Sequence, residues 1–415
     1  MNLPEPVDLT DLLEPFRSRG VDLRLDRLQQ GLAAMDHPER CFEAVQVAGT
    51  NGKGSIVAML EAILAAAGVS AGVYRSPHLR SWCERIRVAG RWITPDELRA
   101  RLLAWQPQAE AHGLTTFEQL TGAAFSHFAA AAVPIAVLEV GLGGRLDATT
   151  THPQRTVLGL ATIGLDHCEW LGHDLASIAA EKAGIFSPGS VAISGPQAPE
   201  VGRRLEAEAI ARGTELRWVD PLPATVPLGL PGQLQRVNGA VAVGMAEALA
   251  ERGWPLPADA IARGLAAARW PGRLERRSWR GQPLLVDGAH NPPAAQALRQ
   301  ELDGLAPGGP RRWLIGIQRH KDAPSMLTAL LRPGDQAWIL SFEDHDCWTA
   351  AALAAAVPSL AGQLHQADSA AQGLARLPGP GPLPVVTGSL HLLGSLWEQL
   401  DPPEPWDLTP GEVPD

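Results

Sequence analysis

A glycine-rich segment near the N-terminus carries residue types that bind phosphate. Residues 48–55 have the sequence AGTNGKGS and lie between a predicted strand and a predicted helix. Glycines let backbone N–H groups approach phosphate oxygens, while a helix N-terminus and the ammonium of Lys53 add positive charge. Because strand, turn, lysine and helix coincide, the segment predicts a phosphate-binding loop rather than a glycine-rich turn with a surface lysine.

The spacing of this segment differs from the common nucleotide-binding pattern GxxxxGK[ST]. Val47 stands at the position of the first glycine, and Gly54 separates Lys53 from Ser55. The general pattern is therefore only partly met.

Glu139 is a second candidate for chemistry, because it lies near the end of an apolar predicted strand at residues 135–140. A carboxylate buried there is costly unless a metal ion or a cation such as Arg145 compensates it. The glycines that follow permit a tight loop beside a ligand. Open α/β sheets place their sites at the carboxyl ends of strands, which is the position of Glu139.

Residue type alone does not decide the roles of two further residues, His167 and Lys182. Imidazole is an uncommon ligand for a cation as hard as magnesium, so chemistry alone indicates that His167 is a turn residue or a base. Lys182 lies in a predicted helix opened by Asp174, where a lysine is ordinarily solvated.

Short β-type segments alternate with longer helical segments, which predicts α/β layers around a mainly parallel sheet. Strands are expected at residues 43–48, 69–74, 135–140, 156–163 and 190–194, a helix at 55–67, and a proline-rich surface loop at 221–231. After a basic segment at 270–282, the alternation restarts with a strand at 284–287. We therefore expect an N-terminal P-loop-type ATPase domain at 1–271, a linker at 272–281, and a smaller C-terminal Rossmann-like α/β domain at 282–415.

The composition argues against several classes of protein. The formal net charge of −10 disfavours general nucleic-acid binding, which needs basic patches. The four cysteines are dispersed, so a disulfide framework or zinc site is not expected and a reducing compartment fits. No basic n-region begins the chain, and its longest apolar run is too short to span a bilayer. These features predict a cytoplasmic protein without nucleic-acid or membrane partners.

Several ordered motifs, spread from about Leu23 to Leu396, resemble the folylpolyglutamate synthase/dihydrofolate synthase family of the Mur-ligase superfamily. Besides the GKGS loop, they are YRSPHL at 74–79, EVGLGGRLDAT at 139–149, DHCEWLG at 166–172, EKAGI at 181–185, PGRLE at 271–275 and VDGAHNP at 286–292. Leu234 and Gly239 depart from the family's HQxxNAA segment around Asn238. The resemblance implies a ligase that uses ATP to add L-glutamate to dihydropteroate, making dihydrofolate, and to the γ-carboxylate of folates or tetrahydrofolates, making folylpolyglutamates, through an acyl phosphate.

The same resemblance implies roles for individual residues. ATP, a co-substrate, is expected to contact Gly49, Thr50, Asn51, Gly52, Lys53, Gly54, Ser55, Asn238, Arg273 and Asp287. Two magnesium ions are expected on Ser76, Glu139 and His167. The expected catalytic residues are Lys53, His290 and Lys182, the last as a carbamylation site. The expected pterin contacts are Leu23, Arg24, Leu25, Thr115, Thr116, Phe117, Glu118, Leu146, Asp147 and Ala148. Lys321 and Asp322 resemble a further family segment.

Three other functions are open at this point. A monofunctional folylpolyglutamate or dihydrofolate synthase is close, although the pterin-type segments favour the bifunctional form. A muramyl-peptide ligase is expected to carry a UDP-sugar domain ahead of the loop, and fewer than fifty residues precede Gly49. A non-catalytic ATP-binding switch is expected to lack Glu139, His167 or Lys182, and all three are present. The expected partners are ATP, L-glutamate, dihydropteroate and folates, bound by a monomer.

Overall fold

The computed structural model describes residues 3–14, 22–305, 308–342 and 345–402. Contacts between Cα atoms divide the chain into two compact units. The first comprises Met1–Leu230 and Leu234–Trp270, and the second comprises Pro231–Gln233 and Pro271–Asp415. Within the described ranges, no helix combines the length and apolarity needed to cross a membrane.

The first unit is built on one sheet. Its strands are β1 (Glu43–Ala48), β2 (Ala71–Tyr74), β3 (Ile86–Val88), β4 (Arg91–Trp92), β5 (Ile135–Glu139), β6 (Arg155–Leu160), β7 (Val191–Ser194) and β8 (Glu215–Trp218). Their order is β4-β3-β2-β5-β1-β6-β7-β8. The strands from β2 to β8 in this order are parallel, while β3 and β4 pair antiparallel at one edge. The carboxyl ends of β2, β5, β1 and β6 therefore lie side by side.

Helices surround this sheet. They are α1 (Asp26–Ala34), α2 (Lys53–Ala66), α3 (Pro95–His112), α4 (Thr116–Ala130), α5 (Cys168–Leu171), α6 (Leu175–Lys182), α7 (Pro199–Arg212), α8 (Gln233–Glu251) and α9 (Ala258–Ala267). Several begin at a side chain that accepts a backbone N–H bond, as Thr115 does for α4 and Asp174 for α6. Such caps satisfy the unpaired N–H groups of the first turn.

Strand β1 shows why the sheet is covered on both faces. Val45 and Val47 belong to a core with residues of α2, α8 and α9, whereas Ala44 belongs to a second core with residues of α3 and α4. Successive side chains of a strand point to opposite faces, so an apolar parallel strand needs helices on both. Leu60 and Ile63 of α2 are fully buried, and such burial contributes roughly 1.5–3 kcal/mol per side chain.

The second unit has a smaller sheet of the same kind. Its strands are β9 (Glu275–Trp279), β10 (Gln282–Val286), β11 (Arg312–Ile315), β12 (Gln336–Leu340), β13 (Leu364–Ala367) and β14 (Val385–Thr387). Their order is β13-β12-β11-β14-β10-β9, and every neighbouring pair is parallel except β10 with β9. Its helices are α10 (Pro292–Leu305), α11 (Ala323–Leu330), α12 (Ala350–Ala356), α13 (Ala370–Ala375) and α14 (Leu390–Leu396). The mainly parallel α/β architecture predicted for both halves is confirmed.

Residues 272–281, expected to be a linker, differ from the prediction because they contain β9. Arg277 of this strand is only 3% exposed. Its guanidinium lies 4.0 Å from the ring centroid of Trp397, and its Nε donates to the carbonyl of Asp401 at 2.9 Å. The aromatic and carbonyl partners allow a basic side chain to be buried, so the basic sequence gave no sign of a strand.

The outer side of β9 is covered by the last described residues. The N–H of Asp401 donates to the carbonyl of Ser278 at 2.8 Å, and its carboxylate accepts from the Ser278 hydroxyl at 2.9 Å. The segment around Asp401 thereby closes this edge of the sheet.

The predicted elements agree with the observed ones apart from their ends. Strand β1 has the predicted bounds, and the other predicted strands differ by one to three residues at an end. Helix α2 begins at Lys53, two residues before the predicted start, because Gly52 has φ 104° and turns the chain directly into the helix. Neither helix nor strand forms at residues 221–231, as predicted.

Candidate active site

The glycine-rich segment forms a tight loop from the carboxyl end of β1 to the start of α2. Gly49 has φ 142°, and a Cβ added there would lie 2.6 Å from Cβ of Ala161 and 2.9 Å from its carbonyl oxygen. Only glycine fits such a close approach to the neighbouring chain. The amino end of a 14-residue helix therefore opens at the sheet edge, which is the arrangement that binds phosphate groups.

Lys53 lies at the first position of α2, with its side chain folded back on the loop. Its Nζ donates to the carbonyl oxygens of Gly49 and Thr50, each at 3.1 Å. The ammonium is thus held within the loop, next to the helix N-terminus. The positive charges of both act at the same place.

Trp270 explains why a glycine separates Lys53 from Ser55. A Cβ added at Gly54 would lie 2.9 Å from Nε1 of Trp270 and 3.1–3.2 Å from two of its ring carbons. Because the indole covers this position, a threonine or serine directly after the lysine would collide with it. The GKGS spacing is therefore a consequence of packing.

Two polar atoms beside the loop are buried without a hydrogen-bond partner in the described part of the chain. They are the hydroxyl of Ser55 and Oδ1 of Asn238. Asn238 of α8 lies against the loop, since a Cβ at Gly52 would meet its side-chain amide, and its Nδ2 donates to Oε1 of Gln235 at 3.0 Å. Buried polar atoms without partners are rare in folded proteins, so both are suited to meet a ligand.

Lys182, at the last position of α6, is buried at the same loop. It is 4% exposed, and its Nζ donates to the carbonyl of Gly49 at 2.9 Å. Burial, with a smaller effect from the positive charge of Lys53, lowers the pKa of Lys182 from 10.5 to about 7. A large fraction of this lysine is therefore a neutral amine near neutral pH, and a neutral amine is nucleophilic.

The three residues expected to bind magnesium follow neighbouring strands at this edge. Ser76 comes shortly after β2, Glu139 is the last residue of β5, and His167 follows β6 with φ 52°. Glu139 is 5% exposed. Arg145, the alternative cation for Glu139, forms an ion pair with Glu181 at 2.9 Å instead.

These residues suit a magnesium ion whose remaining ligands are water and phosphate oxygens. The described residues contain no group of three or more His, Cys, Asp or Glu arranged to hold a metal by themselves. Magnesium, however, keeps waters and phosphate oxygens and needs only one or two carboxylates. The buried carboxylate of Glu139 and the unpartnered hydroxyl of Ser55 supply the oxygen ligands it prefers.

The predicted pterin-contacting segment lies beside this edge. Phe117 packs on Tyr74, with ring centroids 5.9 Å apart, and on Gly141, where an added Cβ would lie 2.6 Å from its Cζ. Thr115 and Glu118 form the capping box of α4, and the Thr116 hydroxyl donates to the carbonyl of Glu14 at 2.5 Å. The aromatic face is thus fixed next to the loop that follows Glu139.

Two arginines near the start of α1, Arg24 and Arg27, differ in their surroundings. Arg24 is paired with Asp26 on the exposed surface, its Nε lying 2.7 Å from the carboxylate. Arg27, which is 15% exposed in its side chain, lies 3.1 Å from the carboxylate of Glu118. Leu23 and Leu25 are half-buried. Of these two arginines, Arg27, in the first turn of α1, is therefore the one that contacts the predicted pterin-contacting segment.

Asp147 accepts hydrogen bonds from the backbone of the loop that follows Glu139. Its Oδ2 accepts from the N–H groups of Gly141 and Leu142 at 2.9 and 3.0 Å, and its Oδ1 accepts from Thr149 N–H at 3.0 Å. Burial raises the pKa of Asp147, while these hydrogen bonds oppose the rise. Of its neighbours, Ala148 is buried and Leu146 is half-buried.

The second unit brings together the residues predicted around Asp287. Its carboxylate accepts from Leu274 N–H and Ala289 N–H, each at 2.9 Å. Burial raises the pKa of Asp287, and the charge of Arg273 is the largest opposing influence. Nδ1 of His290 lies 2.8 Å from the carbonyl of Gly288. The PGR and DGAHN segments therefore form one group at the carboxyl end of β10.

Lys321 and Asp322, the remaining pair noted in the sequence, follow β11. Asp322 caps α11, and the carbonyl of Lys321 accepts from the Trp348 indole at 3.2 Å. These contacts are local to the second unit.

Comparisons with known proteins agree with these motifs. Residues 273–399 match the family model for the dihydrofolate synthetase C-terminal domain. The Escherichia coli K12 dihydrofolate synthase/folylpolyglutamate synthase is 35% identical over 346 residues, covering 80% of this chain and 78% of that protein.

Solved structures are similar over most of the chain. The Mycobacterium tuberculosis folylpolyglutamate synthase complexed with ADP has a TM-score of 0.84 at 29% identity, covering 91% of this chain and 95% of that one. A bifunctional enzyme from Yersinia pestis complexed with AMPPNP and a Mn ion has a TM-score of 0.83 at 30% identity, covering 96% and 99%. The protein described here belongs to the dihydrofolate synthase/folylpolyglutamate synthase family.

Proposed function

We propose that this chain is a bifunctional, ATP- and magnesium-dependent ligase. It joins L-glutamate to dihydropteroate, making dihydrofolate, and to the γ-carboxylate of folates or tetrahydrofolates, making folylpolyglutamates. One observation carries the proposal: the phosphate-loop lysine and the buried, pKa-depressed Lys182 both bond the carbonyl of Gly49. A structural loop has no use for two lysines at one carbonyl, whereas a site for a triphosphate and an acidic acceptor does.

The reaction proceeds through an acyl phosphate. The acceptor carboxylate attacks the γ-phosphorus of ATP, the bond to the ADP oxygen breaks, and a mixed anhydride forms. The amine of glutamate then attacks the acyl carbon, loses a proton, and expels phosphate as the amide forms. Lys53 and the amino end of α2 stabilise the negative charge that develops on the transferred phosphoryl group.

His290 is assigned as a base for the amide-forming step. A carbonyl oxygen only accepts hydrogen bonds, so the contact with Gly288 places the proton of neutral His290 on Nδ1. Its Nε2 then carries a lone pair that can take the proton of the attacking amine. Residues 49–55, Asn238, Arg273 and Asp287 keep the nucleotide contacts that the resemblance to the family implies.

Magnesium is assigned to Ser76, Glu139 and His167, with two ions expected. When bound, it screens the charge of the ATP phosphates and polarises the γ-phosphoryl group. Lys182 supports this site after its neutral amine adds carbon dioxide. A nitrogen–carbon bond forms, one proton leaves, and the product is a carbamate anion.

Other aspects of the proposal follow from the sequence. Residues 1–271 form the ATP-binding domain that carries the phosphate loop, and residues 282–415 form the domain that serves the glutamate ligation. Residues 272–281, which include β9, connect the two. Leu23, Arg24, Leu25, residues 115–118 and residues 146–148 contact the pterin. The protein acts as a cytoplasmic monomer on small molecules, without nucleic-acid or membrane partners.

Product analysis tests the function directly. The chain is incubated with ATP, magnesium and glutamate, and dihydropteroate or a reduced folate is offered in turn. We expect product masses one glutamyl residue higher for both acceptors, with ATP turnover that depends on acceptor and glutamate together. Turnover with one acceptor only would indicate a monofunctional enzyme, and ATP hydrolysis indifferent to both would contradict a ligase.

A further inference from the structure

Three charged side chains are buried together in the first unit, beside the phosphate loop. They are Glu61 of α2, Arg75 directly after β2 and Arg87 of β3, which are 8%, 1% and 8% exposed. Oε2 of Glu61 accepts hydrogen bonds from both guanidinium groups, and its distance to NH1 of Arg87 is 3.1 Å. Two cations share one carboxylate, so the cluster keeps one net positive charge away from water.

Of the two arginines, Arg75 has fewer partners that offset its positive charge. Its Nε and NH1 are buried and have no hydrogen-bond acceptor among the described residues. Arg87 has more partners for its charge, because it also donates to the carbonyl of Gly90 at 2.5 Å and its guanidinium lies 4.3 Å from the ring centroid of Trp92. A buried cation without full pairing lowers stability, and proteins keep such costs chiefly where a function uses them.

Arg75 is separated from the phosphate loop by a single indole ring. Its Cζ lies 4.5 Å from the ring centroid of Trp270, and the indole Nε1 lies 2.9 Å from the point that a Cβ on Gly54 would occupy. An indole is a low-dielectric medium, so a charge acts across it more strongly than across the same distance of water.

We propose that Arg75 is a fixed cation of the nucleotide site, which raises the affinity for phosphate groups through its electric field rather than by direct contact. The proposal rests on the proposed function in taking residues 49–55 as the nucleotide-binding loop. Its ligand is the polyphosphate of a nucleotide.

Equilibrium binding of magnesium-free ADP to the full chain tests this role without catalysis. Arg75→Met removes the charge and keeps a long side chain, and we expect the Kd for ADP to rise by roughly tenfold while the unfolding temperature is unchanged or higher. Arg75→Lys keeps the charge and should bind ADP nearly as well as the natural chain. Glu61→Gln removes the compensating carboxylate and should lower the Kd.

Arg99→Met serves as a matched control, because the Arg99 side chain on α3 is 42% exposed and paired with Asp11. We expect it to leave the Kd unchanged. An unchanged Kd in Arg75→Met would overturn the proposal, as would a loss of binding in Arg75→Met and Arg75→Lys alike that follows a loss of stability. If the natural chain itself fails to bind ADP, the proposed nucleotide site fails first and Arg75 has no ligand to act on.

Discussion

The ring of Phe117 packs directly on Gly141, so closely that a Cβ at position 141 would lie 2.6 Å from Cζ of Phe117. This contact links the predicted pterin-binding segment to the loop that follows Glu139. Any side chain at position 141 must displace the aromatic ring.

Gly141→Ala should therefore weaken binding of the pterin acceptor. We expect the KM for dihydropteroate to rise about tenfold, since overpacking of this kind costs about 1–3 kcal/mol, while the KM for ATP changes little. Steady-state kinetics with each substrate varied in turn would measure this. Gly304→Ala in α10, where an added Cβ meets nothing within 4 Å, is the control. A KM for ATP that rises as much as the KM for dihydropteroate would contradict a local effect.

Lys53→Ala should abolish turnover and leave the fold intact. The ammonium is the full positive charge within the phosphate loop, and loss of one such stabilising group lowers kcat by roughly 10²–10³-fold. Coupled measurement of ADP release gives the rate, and thermal unfolding monitors the fold. A folded variant with a near-normal rate would refute the role assigned to Lys53.

Lys182→Met should change the pH dependence of stability. The pKa of Lys182 is lowered to about 7 in the folded state from 10.5, so below pH 7 the folded chain buries a charged ammonium. Between about pH 7 and pH 10.5, Lys182 is protonated in the unfolded state and neutral in the folded state. The free energy of unfolding therefore rises with pH across this range.

The variant lacks this dependence, because methionine does not titrate. We expect it to be more stable than the natural chain below about pH 7, with an advantage that shrinks by ~1.4 kcal/mol per pH unit up to the unfolded pKa. Urea unfolding of both proteins across this range measures the difference. A constant difference at all pH values would show that Lys182 titrates normally in the fold.

Glu139→Gln should weaken the dependence of activity on magnesium. The substitution keeps the shape of a side chain that is 5% exposed but removes the anionic oxygens that magnesium prefers. We expect the magnesium concentration for half-maximal activity to rise by roughly 10–100-fold.

Magnesium titrations of the ligase rate would measure this shift. Glu110→Gln, at an exposed position of α3, changes the charge equally and should behave as the natural chain does. If both variants need the same magnesium concentration, Glu139 is not a ligand.

Local chemistry made much of this structure predictable. The phosphate loop combines a buried apolar strand, glycines and the start of the apolar helix α2, and each of these is a short-range pattern. Other contacts span the chain: Lys182 meets Gly49 and Asn238 meets Gly52. No local pattern predicts such pairs, and on residue type alone Lys182 was expected to be a surface lysine.

Some details depended on packing that the sequence does not reveal. Arg277 lies in a basic segment that was expected to be a linker, yet Trp397 and the carbonyl of Asp401 bury it in β9. Likewise, no short-range pattern reveals that Arg27 lies against the carboxylate of Glu118. The indole of Trp270 over Gly54 shows the same limit, since 216 positions separate the two residues in the numbering.

The contact of Asp401 with Ser278 protects the edge strand β9 from pairing with a strand of another molecule. A bare β9 would offer a row of free backbone groups to a strand of another molecule, which is how sheets recruit one another into aggregates. A truncated chain ending before Leu400 would lose that shield, even though no residue of the assigned site would be missing.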